Sequence, residues 1–439
     1  MPVNLNVAQT LQNRNVHRAV LNNGMVVLMV ENPAADIVAA RIFIRVGSRY
    51  ELPEQAGVSH LLSAVLTKGT DRLSSQEIAE QVESVGASLG ADAAADYCLL
   101  SLKTVSADFP EILGLASEIL RSPSFPDSEV ELERRLTLQG IRSMQEQPFA
   151  VAQKQLRQAM YQGHPYALPS LGTDATVSTL TRSDLLHFHQ TYFRPDNVVI
   201  SIAGRIVPEE TLALVDETFG SWQVPAEDNG KALPFPTLHL PSLDADPQRA
   251  VTVQDTQQAI VMLGYLTPSV QNPDYMALKL LNTYLGNGLS SRLFVELREK
   301  QGLAYEVSAF YPTRLDTSQF VVYMGTSPNN AAIALDGLKR EVDRLCDVTL
   351  SPEEVQAAKN KLLGQYALGK QTNAQLAQIF GWYETLQLGI EFDQTFQRDI
   401  AAITPEEAQD VARRYFGEPY VSLVGPAIAV EPLVTPAAS

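Results

Sequence analysis

The chain has 439 residues, 45% of them hydrophobic and 19% charged, with a formal net charge of −17. This is the composition of a globular protein of two or three domains, each long enough to bury a core. The acidic balance runs through both halves, which argues against a nucleic-acid partner and fits either plain solubility or attraction of basic peptides.

From the N-terminus, Met25 to Glu31 and Ile37 to Val46 show the β-branched content and alternation of paired strands. Ser75 to Gly86 has helical period, with Ser74 or Ser75 placed to cap it. Ala87 to Ala95 leads into a strand over Tyr97 to Val105, and Asp108 to Arg121 and Asp127 to Gln145 read as amphipathic helices. Five prolines between Val224 and Pro247 exclude helix or central strand there, so residues 225–247 read as a linker. The expected organisation is one domain over residues 1–224 and a second over residues 248–439.

The second half repeats the plan, with a strand over Gln258 to Leu266 and a helix over Asp274 to Leu285. A glycine loop at Gly286-Asn287-Gly288, a helix from Ser291 and a strand over Ala304 to Tyr311 follow. Order of elements suggests two related α+β domains, each a mostly antiparallel sheet flanked by helices. No window approaches 18 uninterrupted apolar residues, so no membrane span is expected. Cys98 and Cys346 show no paired spacing, which points to a reducing compartment such as the cytoplasm.

The most informative stretch is Gly57-Val58-Ser59-His60-Leu61-Leu62-Ser63-Ala64, which continues to Gly69-Thr70. In the inverted zinc motif H-x-x-E-H, two histidines on one helical face hold the metal and the glutamate activates its water. Here His60 keeps the first position, Ser63 stands where the general base belongs, and Ala64 stands where the second imidazole belongs. A lone histidine in an apolar run is ordinarily a core residue, and catalytic zinc needs three protein ligands. The other histidines, His17, His164, His187, His189 and His239, do not rebuild a ligand set by spacing. No metal is expected in this chain.

With Leu21-Asn22-Asn23-Gly24 and Val46-Gly47-Ser48-Arg49-Tyr50-Glu51, this frame resembles the pitrilysin-type (inverzincin) metallopeptidases, particularly the processing-peptidase branch. The resemblance implies a third zinc ligand about 80 residues past the first histidine. At that place Glu133-Arg134-Arg135-Leu136-Thr137-Leu138-Gln139-Gly140 has Gly140 as the ligand position and keeps Glu133 as the supporting carboxylate. It further implies that Arg298 and Tyr305, in the run Ser290-Ser291-Arg292-Leu293-Phe294 to Tyr305, match the family's arginine and tyrosine that reach the zinc-bound substrate. Such donors suit an oxyanion on an attacked peptide carbonyl. Gly286, Asn287 and Gly288 then fall on the loop near the entrance of the substrate cavity.

An emptied zinc site beside a kept arginine–tyrosine pair predicts a non-catalytic subunit of a heterodimeric zinc metallopeptidase. This chain would form half of the chamber, bind peptides, basic ones among them like the family's leader segments, and lend Arg298 and Tyr305 to a paralogue that carries the zinc. The alternative is a proteolytically inactive scaffold or peptide-binding protein resembling the core subunits of a respiratory complex.

Overall fold

The computed structural model describes residues 16–226, 231–286 and 288–434. Its architecture is α+β: two mostly antiparallel sheets, one of six strands and one of five, each with helices packed against it. The chain folds into two compact units, one drawn from Met1–Ile141, Leu168–His239 and Ala367–Gln394, the other from Arg142–Ala167, Leu240–Tyr366 and Thr395–Ser439.

In the first unit the strands are β1 (Val16–Val20), β2 (Val26–Glu31), β3 (Ile37–Ile44), β4 (Ser88–Ala93), β5 (Cys98–Val105) and β6 (Val198–Gly204). Their spatial order is β1-β2-β6-β3-β5-β4, and only β2 and β6 run parallel. Central β6 is buried at every position, and β2 and β3 are buried at nearly all, because both faces of the sheet are covered. Helices α1 (Val58–Val65) and α3 (Phe109–Arg121) pack on the β4–β5 side, where Leu61, Leu62, Ile112, Ile119 and Phe125 join the core. Helix α2 (Ser75–Ser84) starts on a capping box in which Ser74 and Glu77 satisfy each other's backbone N–H. The long α4 (Asp127–Gln145) runs over the expected residues.

The second unit holds β7 (Arg249–Val253), β8 (Ala259–Thr267), β9 (Ala304–Phe310), β10 (Ser318–Thr326) and β11 (Tyr420–Gly425), ordered β7-β11-β8-β10-β9. Helix α5 (Pro148–Met160), which sequence pattern did not single out, lies on β8 and β11 of this sheet. There Ser422 donates to the Ala152 carbonyl at 2.8 Å, and Gln155 donates to Ser422 at 2.7 Å. Helices α6 (Tyr275–Gly286), α7 (Ala331–Asp347) and α9 (Pro405–Tyr415) also pack within this unit.

The units are thus not simply successive halves of the chain. While α5 joins the second sheet, α8 (Asn373–Thr385) lies on β3 and β6 of the first. Its Glu384 pairs with Arg18 at 2.9 Å and with Arg45 at 3.5 Å. The boundary expected at residues 225–247 separates the strands of the two sheets in sequence, while the helices cross it. Within that segment, described residues 231–247 have little regular structure. Phe235 packs edge-on against Tyr50 and Tyr192, and Arg194 donates to the Leu233 carbonyl at 2.8 Å.

Candidate functional site

Helix α1 is held by its entrance. Glu51 is buried, and its carboxylate accepts the backbone N–H groups of Gly57 at 2.8 Å and Ser59 at 2.9 Å, together with the Ser59 hydroxyl. These are N-terminal donors that the helix itself cannot satisfy. Burial pushes the Glu51 carboxyl up to about 7, with the three hydrogen bonds acting in the opposite direction. Gly57 turns into the helix at φ 96, where a side chain is strained, and a Cβ there would stand 2.7 Å from the Leu171 carbonyl oxygen.

His60 is half-buried, and burial lowers its imidazole below the ordinary value against the opposing charges of Glu133 and Asp92. The fold therefore brings His60 and Glu133 into one electrostatic neighbourhood from α1 and α4. Glu133 pairs with a cation, Lys68, whose Nζ lies 3.5 Å from its carboxylate. Ser63 is buried beside the Cys98 thiol, which burial pushes up to about 12. Ala64 offers a methyl group and Gly140 no side chain at all. A Cβ built at Gly140 meets only Leu171 Cδ1, at an ordinary contact distance of 3.8 Å, so a Cβ is accommodated there. Among the described residues no group of three or more His, Cys, Asp or Glu side chains is arranged to hold a metal ion. The donors around His60 do not fit a zinc site, which needs three protein ligands and an open position.

The second unit carries the other named residues. Arg298 lies on the π-helical stretch Phe294–Lys300, exposed, with its guanidinium 4.9 Å from the centre of the Phe294 ring. Tyr305 is 59% exposed near the start of β9. The pairing of β9 with β10 slips there: Gly325 faces Glu306 while Thr326 faces Ala304, so Tyr305 is the extra residue of a β-bulge. Strict alternation is broken, and Tyr305 and Glu306 are both exposed in succession. The Tyr323 hydroxyl donates to Glu306 at 2.8 Å.

Gly286 has a packing reason to be glycine. A Cβ on it would stand 2.0 Å from the Ala309 backbone nitrogen, and the Ser308 hydroxyl donates to the Gly286 carbonyl. Asn287 lies outside the described residues, and Gly288, at φ 86, is exposed. Sequence reasoning missed Glu51 as the clamp of α1 and Lys68 as the partner of Glu133. The two consecutive polar residues at 305 and 306 were a readable sign of the bulge.

Comparison with known proteins places both units. Residues 26–174 match the family model "Insulinase (Peptidase family M16)", and residues 179–362 match "Peptidase M16 inactive domain". The chain belongs to the M16 peptidase family. Among its M16 relatives, the uncharacterized zinc protease YmxG of Bacillus subtilis is 27% identical over 94% of this chain and 98% of its own length. The uncharacterized zinc protease Rv2782c of Mycobacterium tuberculosis is 28% identical over 93% of each chain. A protease from Helicobacter pylori has the same fold, with a TM-score of 0.87 and 23% identity over 94% of this chain and all (100%) of its own. The M16 inactive domain from Pseudomonas fluorescens gives 0.86 and 24% identity over 94% and 98% of the two chains.

Proposed function

We propose that this chain is a non-catalytic M16 subunit that pairs with a zinc-bearing paralogue, forms half of a peptide chamber, and supplies Arg298 and Tyr305 to the partner's active site. The observation that carries this reading is the state of the His60 site. Its helix and clamp are intact, while Ser63, Ala64 and Gly140 occupy the base and ligand positions and Lys68 engages Glu133. Relatives named zinc proteases support peptide chemistry for the assembly; the donor set of this chain argues that the chemistry belongs to another subunit. Peptides, including basic ones attracted by the acidic chain, are the substrates proposed for the pair.

Exposed Arg298 and Tyr305 are available to reach a substrate held by another site, and the bulge fixes Tyr305 outside the sheet's alternation. A donor to a developing oxyanion contributes about 10²- to 10³-fold in rate. The rival reading, an inactive scaffold, draws on the Arg298–Phe294 stack, which a purely structural arginine would also make. Metal analysis of the purified chain, with a peptidase assay of it alone, tests the central part of the proposal. Far less than stoichiometric zinc and no hydrolysis are expected. One tightly held zinc per chain, lost on His60→Ala, would overturn it.

A further inference from the structure

In the second sheet β9 is an edge strand, and β10 lies between it and β8. Gly325 of β10 pairs with Ile260 of β8 on one side and with Glu306 of β9 on the other, so these three residues stand in one cross-strand row on one face of the sheet. Tyr323, two residues along β10, shares that face. The middle of the row has no side chain. A Cβ on Gly325 would stand 3.1 Å from Gln258 Oε1 and 3.5 Å from Ile260 Cδ1, and a glycine inside a strand often marks a place where a ligand comes close. The row borders a cavity of about 440 Å³, within the size range of small-molecule sites, which Phe149 at the start of α5 and Gln258 just before β8 also line. All of the lining residues belong to the second unit.

Glu306 is the one charged residue lining this cavity, and among the described residues its carboxylate accepts the Tyr323 hydroxyl at 2.8 Å and has no cationic partner. Burial, with the hydrogen bond to Glu306 and its charge, pushes the Tyr323 phenol up to about 12. The phenol therefore keeps its proton and donates once, which leaves the carboxylate with acceptor positions to spare. Phe149 and Tyr323 meet nearly at right angles, with ring centres 4.9 Å apart and an interplanar angle of 73°, so two aromatic surfaces form a corner in the same cavity as that carboxylate. The Gln258 amide beside Gly325 adds a neutral acceptor. The uncompensated carboxylate repels an anion, and a purely apolar ligand would desolvate it without a partner. A cation on an apolar stem satisfies both parts of the lining, through a charge-assisted hydrogen bond to Glu306 and attraction to the aromatic faces. The planar, weakly hydrated guanidinium, with its fork of donors, suits such a corner better than a compact, strongly hydrated ammonium.

We propose that the cavity bounded by Phe149, Gln258, Glu306, Tyr323 and Gly325 binds a guanidinium-type organic cation on an apolar stem, either a free small molecule or the arginine side chain of a peptide. This site goes beyond the chamber reading and does not depend on it, because it is built within one unit of this chain and is tested on the isolated full-length protein without a paralogue. The experiment is calorimetric titration at low salt with n-butylguanidinium in one arm, N-acetyl-arginine amide in a second and the uncharged N-acetyl-norleucine amide in a third. Saturable binding in at least one of the two cation arms and none in the norleucine arm is expected, weakened tenfold or more in Glu306→Gln and in Phe149→Leu. Binding of n-butylguanidinium alone assigns the site to a free cation, and binding of the arginine amide assigns it to a peptide side chain. Glu306→Gln, at an exposed position of an edge strand, keeps the test valid if Phe149→Leu fails to fold. No binding in either cation arm, equal binding of the norleucine amide, or binding unchanged by Glu306→Gln in a normally folded protein overturns the proposal.

Discussion

Glu51 holds the start of α1 through two backbone N–H groups and the Ser59 hydroxyl. Removing its carboxylate leaves the buried N–H groups of Gly57 and Ser59 without acceptors, each worth about 1–3 kcal/mol when unsatisfied. Glu51→Ala should therefore lower the free energy of unfolding by about 2–4 kcal/mol, read as a shift of the urea midpoint. A second residue-scale outcome concerns pH. His189 is buried, with Nε2 donating to the Leu120 carbonyl at 2.9 Å, and burial holds its imidazole down at about 4. Between about pH 6.5 and 4 the unfolded chain takes up a proton that the folded chain refuses. Stability should thus fall as pH drops through that window, by about 3 kcal/mol when complete. In His189→Gln this part of the pH dependence should disappear from unfolding curves measured on either side of the window. The zinc positions give a third: Ser63→Glu, Ala64→His and Gly140→Glu together should confer zinc binding that none confers singly, because three ligands are required and a Cβ is accommodated at Gly140. Equal zinc affinity in single and triple variants would place the metal elsewhere.

At the scale of elements, what was legible in the sequence was what local periodicity records. The helix Asp127–Gln145 and the strands around Ile37 and Cys98 follow from spacing of apolar residues and from turn chemistry at Asn23-Gly24. The degenerate motif was equally plain, since Ser63 and Ala64 can be read without a structure. Three features were not legible: the Lys68–Glu133 pair, the clamp made by Glu51, and the assignment of α5 and α8 to sheets in the opposite half of the chain. The pair and the helix assignments depend on residues brought together across long sequence separations, about which amphipathic pattern is silent; the clamp depends on how the chain turns at Gly57. The exchange of helices has a testable consequence. A fragment of residues 1–224, which looks like a complete domain in sequence, lacks α8, so β3 and β6 lose the helix that covers them. It should expose apolar surface and bind a hydrophobic dye, whereas the full chain should not.

As a whole molecule, this M16 chain is on the proposed reading one member of a working pair. Among the described residues no zinc donor set is present, and the clamp at Glu51 and the buried core that carry the family fold are made by this chain's own groups. The most direct measurement is the rate of hydrolysis of an unstructured peptide by the zinc-bearing paralogue alone, this chain alone, and an equimolar mixture. The mixture is expected to be far faster than the sum of its parts. Replacing this chain by Arg298→Ala or Tyr305→Phe should lower the rate by about 10²- to 10³-fold with the dimer intact by sizing. A stable mixed dimer with full activity in both variants would contradict the donor role, and a mixture no faster than the paralogue alone would contradict the subunit reading itself.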